Sequence, residues 1–298
     1  MKEKISTAFK TVQDFICKQL EAIDGSSKFQ EDLWTRKEGG GGRTRIINQG
    51  GIFEKGGVNF SEVHGPVTDL MKQQLNLEGD YFYATGVSIV LHPINPFHPI
   101  MHMNIRYFEM DEGKTYWFGG GIDMTPHYVN RNAARDFHSG LKRICDNYSL
   151  AFYPKFKEWA DNYFYIPHRE ETRGVGGIFY DHQKASAEVS KEELLQFAID
   201  LGEAFPTLYK HQIELAGNPD YTTEHVRWRN VRRGRYVEFN LVHDRGTKFG
   251  LKTGGRIESI LMSLPQTAEW HYDYQVKNKI EQETISLLKR NINWLEEN

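Results

Sequence analysis

"HPINPFHPIMHMNIRYFE", residues His92 to Glu109, decides the fold. From Met101 to Tyr107 apolar and polar residues alternate without a break: Met101, Met103, Ile105 and Tyr107 against His102, Asn104 and Arg106. Successive side chains of a strand point to opposite faces. One face here is therefore apolar, and the other presents an imidazole, an amide and a guanidinium in a row. Antiparallel sheets commonly keep one face in water. Such faces are usually built from Thr, Lys and Glu, whereas this row carries groups that bind or titrate. A ligand-facing sheet is favoured over a solvated one.

Working outward, "TGVSIVLHP" puts Ser88 and His92 on one face, and "WFGGGIDMTP" puts Gly119, Gly121 and Asp123 on one face. Short turn-rich pieces separate these runs, as in an antiparallel meander. "VRWRNVRRGRYVEFNLVHD" also reads as strand. That would set Glu238, Asn240 and Asp244 opposite Val237, Phe239 and Leu241, with its arginines solvated or at a pocket edge. Helical patterns surround the strands. Ile5, Phe9, Val12, Ile16 and Leu20 recur at helical spacing, and a helical region spans about Arg131 to Tyr163. Ser190 and Glu193 form a capping box opening a helix that Pro206 bends or ends. Ile257, Ile260, Leu261 and Leu264 resume helical spacing, and a last helix runs through Ile280, Thr284, Leu287, Leu288 and Leu295. No linker or repeat divides the chain. The expectation is one α+β domain over residues 1–298, a large, mainly antiparallel sheet flanked by helices on both faces.

Composition narrows the function classes. A formal charge of -3 gives no general attraction to nucleic acid. The longest apolar runs fall short of a membrane span. The opening "MKEKISTAFKTVQDFICKQLEAIDG" lacks an uninterrupted apolar core and carries Glu3 and Asp14, against a targeting segment. Cys17 and Cys145 lie far apart in helical patterns, as buried thiols of a reducing compartment would. Cytoplasmic residence is the expectation.

Gly119-Gly120-Gly121 inside a strand marks either a bulge or the close approach of a bulky ligand. Gly39 to Gly42 precede Arg43-Thr44 where a phosphate loop needs Lys-Ser/Thr, and no strand leads into them, so both nucleotide readings fail. Gly254, Gly255 and Arg256 precede a helix start, where free N–H groups and a guanidinium suit a carboxylate or phosphate; an ordinary loop-to-helix junction is an equal reading. His92 and His102 could face one cavity, with His138 and His168 contributing from afar. No HExxH or CxxC supports a metal, which favours hydrogen-bonding histidines. A two-histidine, one-carboxylate iron site of His92, His102 and Asp123 stays open.

Taken together, "GGGGRTRIINQGGIFEKGGVNFSEVHG", "HPINPFHPIMHMNIRYFE", "WFGGGIDMTP", "HREETRGVGGIFYD" and "YVEFNLVHDRGTKFGLKTGGRIESILMSLP" closely resemble oxygen-dependent coproporphyrinogen III oxidases, in order and over nearly the whole chain. The resemblance implies a homodimer with no organic cofactor and dioxygen as co-substrate. Its reaction converts two propionates of coproporphyrinogen III to vinyl groups, giving protoporphyrinogen IX, carbon dioxide and hydrogen peroxide. It further implies that Ser88 lines the pocket and that Asn104, Arg106, Gly254, Gly255 and Arg256 contact substrate. By the resemblance His102 stands at the proton donor's position, and Asp244 is expected to orient an arginine or act as an acid/base. Asp123 is expected to hydrogen-bond the pyrrole N–H groups. His92, His102, His138 and His168 match a candidate divalent-metal set, and residues from Tyr236 to about Trp270 match a dimerisation region. His243 stands where the family more often carries Tyr or Trp. The rivals are the iron oxygenase above and a non-catalytic tetrapyrrole carrier.

Overall fold

The computed structural model describes residues 1–75 and 79–296. In chain order the elements are α1 (Lys2–Asp24), β1 (Gln30–Thr35), β2 (Gly40–Asn48), β3 (Phe53–Pro66), α2 (Asp69–Leu75), β4 (Tyr81–Pro93), β5 (Ile100–Met110) and β6 (Thr115–Thr125). Then follow α3 (Arg131–Asp146), α4 (Phe152–Tyr163), a short ribbon of β7 (Tyr165–Ile166) and β8 (Glu171–Thr172), and β9 (Gly177–Gln183). Five helices close the list: α5 (Lys191–Ala216), α6 (Thr223–Glu238), α7 (Arg245–Lys252), α8 (Ile257–Leu261) and α9 (Lys279–Leu287). Among the described residues β1-β2-β3-β4-β5-β6-β9 form one seven-stranded sheet in that order, every pairing antiparallel.

The alternation read from Met101 to Tyr107 is the organising feature. Met101, Met103, Ile105 and Tyr107 are fully buried and join Val87, Ile89 and Leu91 of β4 in the main core. Phe9, Val12 and Ile16 of α1 and Phe197, Leu201 and Phe205 of α5 pack onto that face. Helices also cover part of the opposite face. Tyr236 of α6 packs on Val90 and Ile100. Lys55 Nζ donates to the Leu264 carbonyl at 2.7 Å, and Met262 fills the space over Gly57. The α+β architecture with helices on both faces is as the sequence predicts. Cys17 and Cys145 are free and buried, and burial pushes each thiol up to about 12. No described helix is long and apolar enough to cross a membrane.

Five expectations need correction. "VRWRNVRRGRY" is not strand but helix α6, followed by a π-turn at Phe239–His243. Its buried stripe, Trp228, Arg229, Arg232, Arg233 and Tyr236, has helical spacing but is largely charged, so hydrophobic periodicity misses it. Those arginines are satisfied by carboxylates: Arg233 by Glu54 at 2.5 Å, Arg232 by Glu171 at 2.9 Å. Pro206 does not end α5, which runs ten residues further because Phe205, Leu208 and Tyr209 are buried in the core. The helical region 131–163 is two helices, α3 and α4, and the last helix stops at Leu287, short of Leu295. Finally, a strand does lead into Gly39 to Gly42, β1 (Gln30–Thr35), and the glycine-dense stretch from Glu38 holds β2 and most of β3. Its glycines admit neighbours: a Cβ on Gly42 would collide with the Trp34 ring.

Candidate active site

The cross-strand register lines up the polar face. Thr44, Asn59, Ser88, Asn104 and Gly121 form one row across β2 to β6. Beside it on one flank lie Gly86, Arg106 and Gly119, and on the other Val90, His102, Asp123 and Gly177. Ser88, Asn104, Arg106, His102 and Asp123 therefore share a face, as expected. Ser88, His102, Asn104 and Arg106 are half-buried and the glycines leave the floor low. Aromatic groups wall it: Phe82, Phe108 and Trp117 beyond Arg106, Phe164 and Phe239 beyond His102.

The best-defined part is a residue no motif singled out. Arg173, just before Gly174, is fully buried and grips Asp123 with two bonds, Nη2 to Oδ1 at 2.6 Å and Nε to Oδ2 at 3.1 Å. Its guanidinium lies 4.5 to 4.7 Å from the centroids of Phe164, Tyr236 and Phe239, and Nη1 donates to Asn240 Oδ1 at 3.4 Å. Burial alone would push the Asp123 carboxyl up. Arg173 and His102 outweigh it and hold Asp123 below the usual carboxylate range. Asp123 stays ionised, and it accepts the His102 Nδ1–H at 2.8 Å. In the neutral ring that bond fixes the tautomer and leaves Nε2 as an acceptor. Asp123 is itself only 1% exposed, so the carboxylate meets the cleft through His102. The expected direct contact with pyrrole N–H groups does not fit that burial. The bipartite sequence signal was present, an arginine inside "HREETRGVGGIFYD", but nothing local tells which aspartate it meets.

Arg106 stands at the other end, paired with Asp181 of β9 at 2.9 Å. Asp244 is not on a strand. It caps α7, accepting the Thr247 N–H at 2.6 Å, and takes the Tyr163 hydroxyl at 2.8 Å. Gly254 and Gly255 lead into α8, and Arg256 pairs with Asp32 at 2.5 Å and donates to Ser259 at 3.1 Å. Ser259 in turn touches Thr44, so this turn sits at the β1–β2 end of the same polar row.

The histidines do not assemble a metal centre. His92 is buried beside Tyr236 with Nε2 on the Ser263 carbonyl at 2.8 Å, and burial and Arg233 hold it well below its usual range. His138 lies under the sheet, both ring nitrogens bonded, to Tyr153 and to the Val175 carbonyl. His168 is at the surface between His243 and Glu238. Among the described residues no three His, Cys, Asp or Glu side chains come together to hold an ion. The four-histidine set and the His92–His102–Asp123 triad therefore both lack the geometry of a metal site.

An antiparallel sheet here presents a charge-held Asp–His pair and a half-open arginine on one low floor, the groups that an acid–base site for an anionic ligand would use. The family model described as "Coproporphyrinogen III oxidase" matches residues 4–294, and the chain belongs to that family. It is 45% identical over 296 residues to the chloroplastic coproporphyrinogen-III oxidase 1 of Arabidopsis thaliana, covering 95% of this chain and 76% of the relative. It is 44% identical to the oxygen-dependent coproporphyrinogen-III oxidase of Prochlorococcus marinus (strain MIT 9312), covering 99% and 93%. To the mitochondrial enzyme of that name from Rattus norvegicus it is 46% identical, covering 99% and 69%.

Proposed function

We propose that this chain is an oxygen-dependent coproporphyrinogen III oxidase, an oxidoreductase of haem biosynthesis working as one catalytic unit over residues 1–298. Each of two propionates loses carbon dioxide and two hydrogens, which reduce one dioxygen to hydrogen peroxide, and a vinyl group remains. A reduced pyrrole is electron-rich and supplies the electrons itself, so no organic cofactor is called for. The observation that carries this reading is the family match together with Ser88, Asn104, Arg106 and His102 on one open face.

Arg106 anchors a propionate through charge-assisted bonds, and Ser88 and Asn104 offer polar contacts beside it. Asn104 Oδ1 is buried and has no hydrogen-bond partner in the protein. His102 Nε2 takes and returns protons, with Asp123 fixing the tautomer and the ring's orientation. Gly254, Gly255 and Arg256 receive a second carboxylate at the far end of the polar row. Asp244 acts through Tyr163 and α7, holding the rim of the cleft. No step is assigned to a metal. The chain pairs as a homodimer through the region Tyr236–Trp270, supported by exposed Leu241, Val242, Leu251, Ile257 and Trp270 there. Buried free thiols support a reducing compartment, and we place the enzyme in the cytoplasm.

The test is turnover of coproporphyrinogen III in air and under argon, following the vinyl product by fluorescence after oxidation. Product forms in air only, with carbon dioxide released, and chelator-treated buffer leaves the rate unchanged. Binding without carbon dioxide release would turn the reading into that of a carrier.

A further inference from the structure

We propose that Asp181 is the positioning residue for Arg106: it holds the guanidinium flat across the sheet so that its free edge meets a substrate carboxylate. The inference rests on the functional reading above and goes beyond it in giving a role to Asp181, the last residue of "HREETRGVGGIFYD".

Three features of the backbone build this contact. The β6–β9 register slips between Phe118, opposite Gln183, and Gly120, opposite Tyr180, so Asp181 and His182 together face the single residue Gly119. That is a β-bulge, a device that re-aims a side chain beside a site. His182 sits at φ 51°, a left-handed conformation that costs a non-glycine residue free energy and is kept only where the surroundings enforce it. Its ring is fixed by stacking on Trp117, centroids 4.7 Å apart and planes 7° apart, and its N–H donates to Asp181 Oδ1 at 3.0 Å. The second carboxylate oxygen, Oδ2, is left to take Arg106 Nη2 at 2.9 Å.

Gly119 is the third feature. A Cβ there would fall 2.6 Å from Asp181 Oδ1 and 2.7 Å from Arg106 Nε, so the ion pair lies where the side chain of residue 119 would have been. The glycine clearance thus admits a protein ion pair. Arg106 has five N–H donors in a rigid fork, and one carboxylate cannot use them all. With Nη2 engaged by Asp181 and the side chain 38% exposed, other N–H donors of Arg106 are left for a ligand. An arginine fixed in this way loses less rotamer freedom when a propionate arrives than one swinging in water. The same design recurs at Arg256, which Asp32 and Ser259 hold at the other end of the row.

The alternative role is simple competition, with Asp181 occupying Arg106 until substrate displaces it. The two roles predict opposite signs. Affinity is measured by fluorescence titration with coproporphyrin III, the oxidised planar tetracarboxylate, on wild type, Asp181→Ala, Asp181→Asn, Arg106→Ala and the double variant Arg106→Ala/Asp181→Ala. Positioning predicts that Asp181→Ala weakens binding by about tenfold. The isosteric Asp181→Asn, which keeps an acceptor and guards against a misfolded alanine variant, weakens it by less. On the Arg106→Ala background removing Asp181 changes affinity less than about twofold, because its effect passes through the arginine. Tighter binding by either Asp181 variant, or equal losses on both backgrounds, overturns the proposal. The titration does not depend on turnover: a wild type that binds but releases no carbon dioxide defeats the functional reading, while the cycle still decides the role of Asp181.

Discussion

Two arginine–aspartate pairs lie on one face of one sheet, and they differ in kind. Arg173 and Asp123 are each 1% exposed and share two hydrogen bonds inside a cage of three aromatic rings. Arg106 and Asp181 are 38% and 20% exposed and share one ion-pair contact over a glycine. Burial raises both the cost of breaking a pair and the field it exerts on its neighbours. The closed pair is suited to keeping a carboxylate charged next to His102 whatever the solvent does. The open pair is suited to exchange, since water and a substrate carboxylate can reach its guanidinium. One keeps a charge in place; the other presents one.

The sharpest way to break this contrast is to remove the charge on Asp123. Asp123→Asn keeps the shape but reverses the hydrogen-bond logic with Arg173 and His102. Turnover should fall by about a thousandfold, within the range expected of a positioned acid–base group, with coproporphyrin affinity within about threefold of wild type. Near-normal turnover removes Asp123 from the reaction. Stability comes next. Arg173→Met leaves the buried Asp123 carboxylate with only His102 as partner and should cost about 3–5 kcal/mol in urea unfolding. Asp181→Ala breaks a pair open to water and should cost under about 1 kcal/mol. Similar losses from the two would erase the difference between the regions.

Acid sensitivity adds a smaller, graded test. His138 is held neutral by burial, its ring pushed down to about 3, and His92 is depressed by burial and Arg233. The unfolded chain protonates these histidines below about pH 6.5 while the native chain does not. Unfolding therefore takes up protons, and stability falls as pH drops from about 6.5 toward 3, by up to about 1.4 kcal/mol per pH unit for each ring. Asp123, depressed in the fold, adds a loss only below about pH 4, as pH falls toward its native value. In urea melts between pH 7.5 and 5, His138→Gln should flatten the slope by close to one proton. The smallest effect belongs to Ser88→Ala, a half-buried hydroxyl opposite Asn104, which should raise KM about threefold and leave kcat and melting unchanged.

Much of this was legible in the chain itself. Strict alternation at Met101–Tyr107 gave β5 and its two faces, because a period of two leaves no freedom about which side each residue takes. Ser190 and Glu193 gave the start of α5 to the residue, since a capping box is a contact between near neighbours. His102, Asn104 and Arg106 share a face by parity alone; that Ser88 joins them follows from the β4–β5 register.

Other parts depended on contacts that sequence does not encode locally. Helix α6 was read as strand because its buried stripe is made of arginines, and only Glu54 and Glu171, far away in the chain, make that burial tolerable. The metal reading of four histidines failed for the same reason: spacing says nothing about whether rings converge, and each has a partner of its own elsewhere. Arg173 and Asp181 carry no local pattern that marks them as functional. An ion pair inside a fold acquires its meaning from the residue it meets, across a bulge or a sheet edge. Sequence alone determined which strands have two unlike faces and which groups lie on the wet one. Only the tertiary structure decided which of those charges are locked and which are free to take a ligand, because burial and pairing are properties of the packed chain.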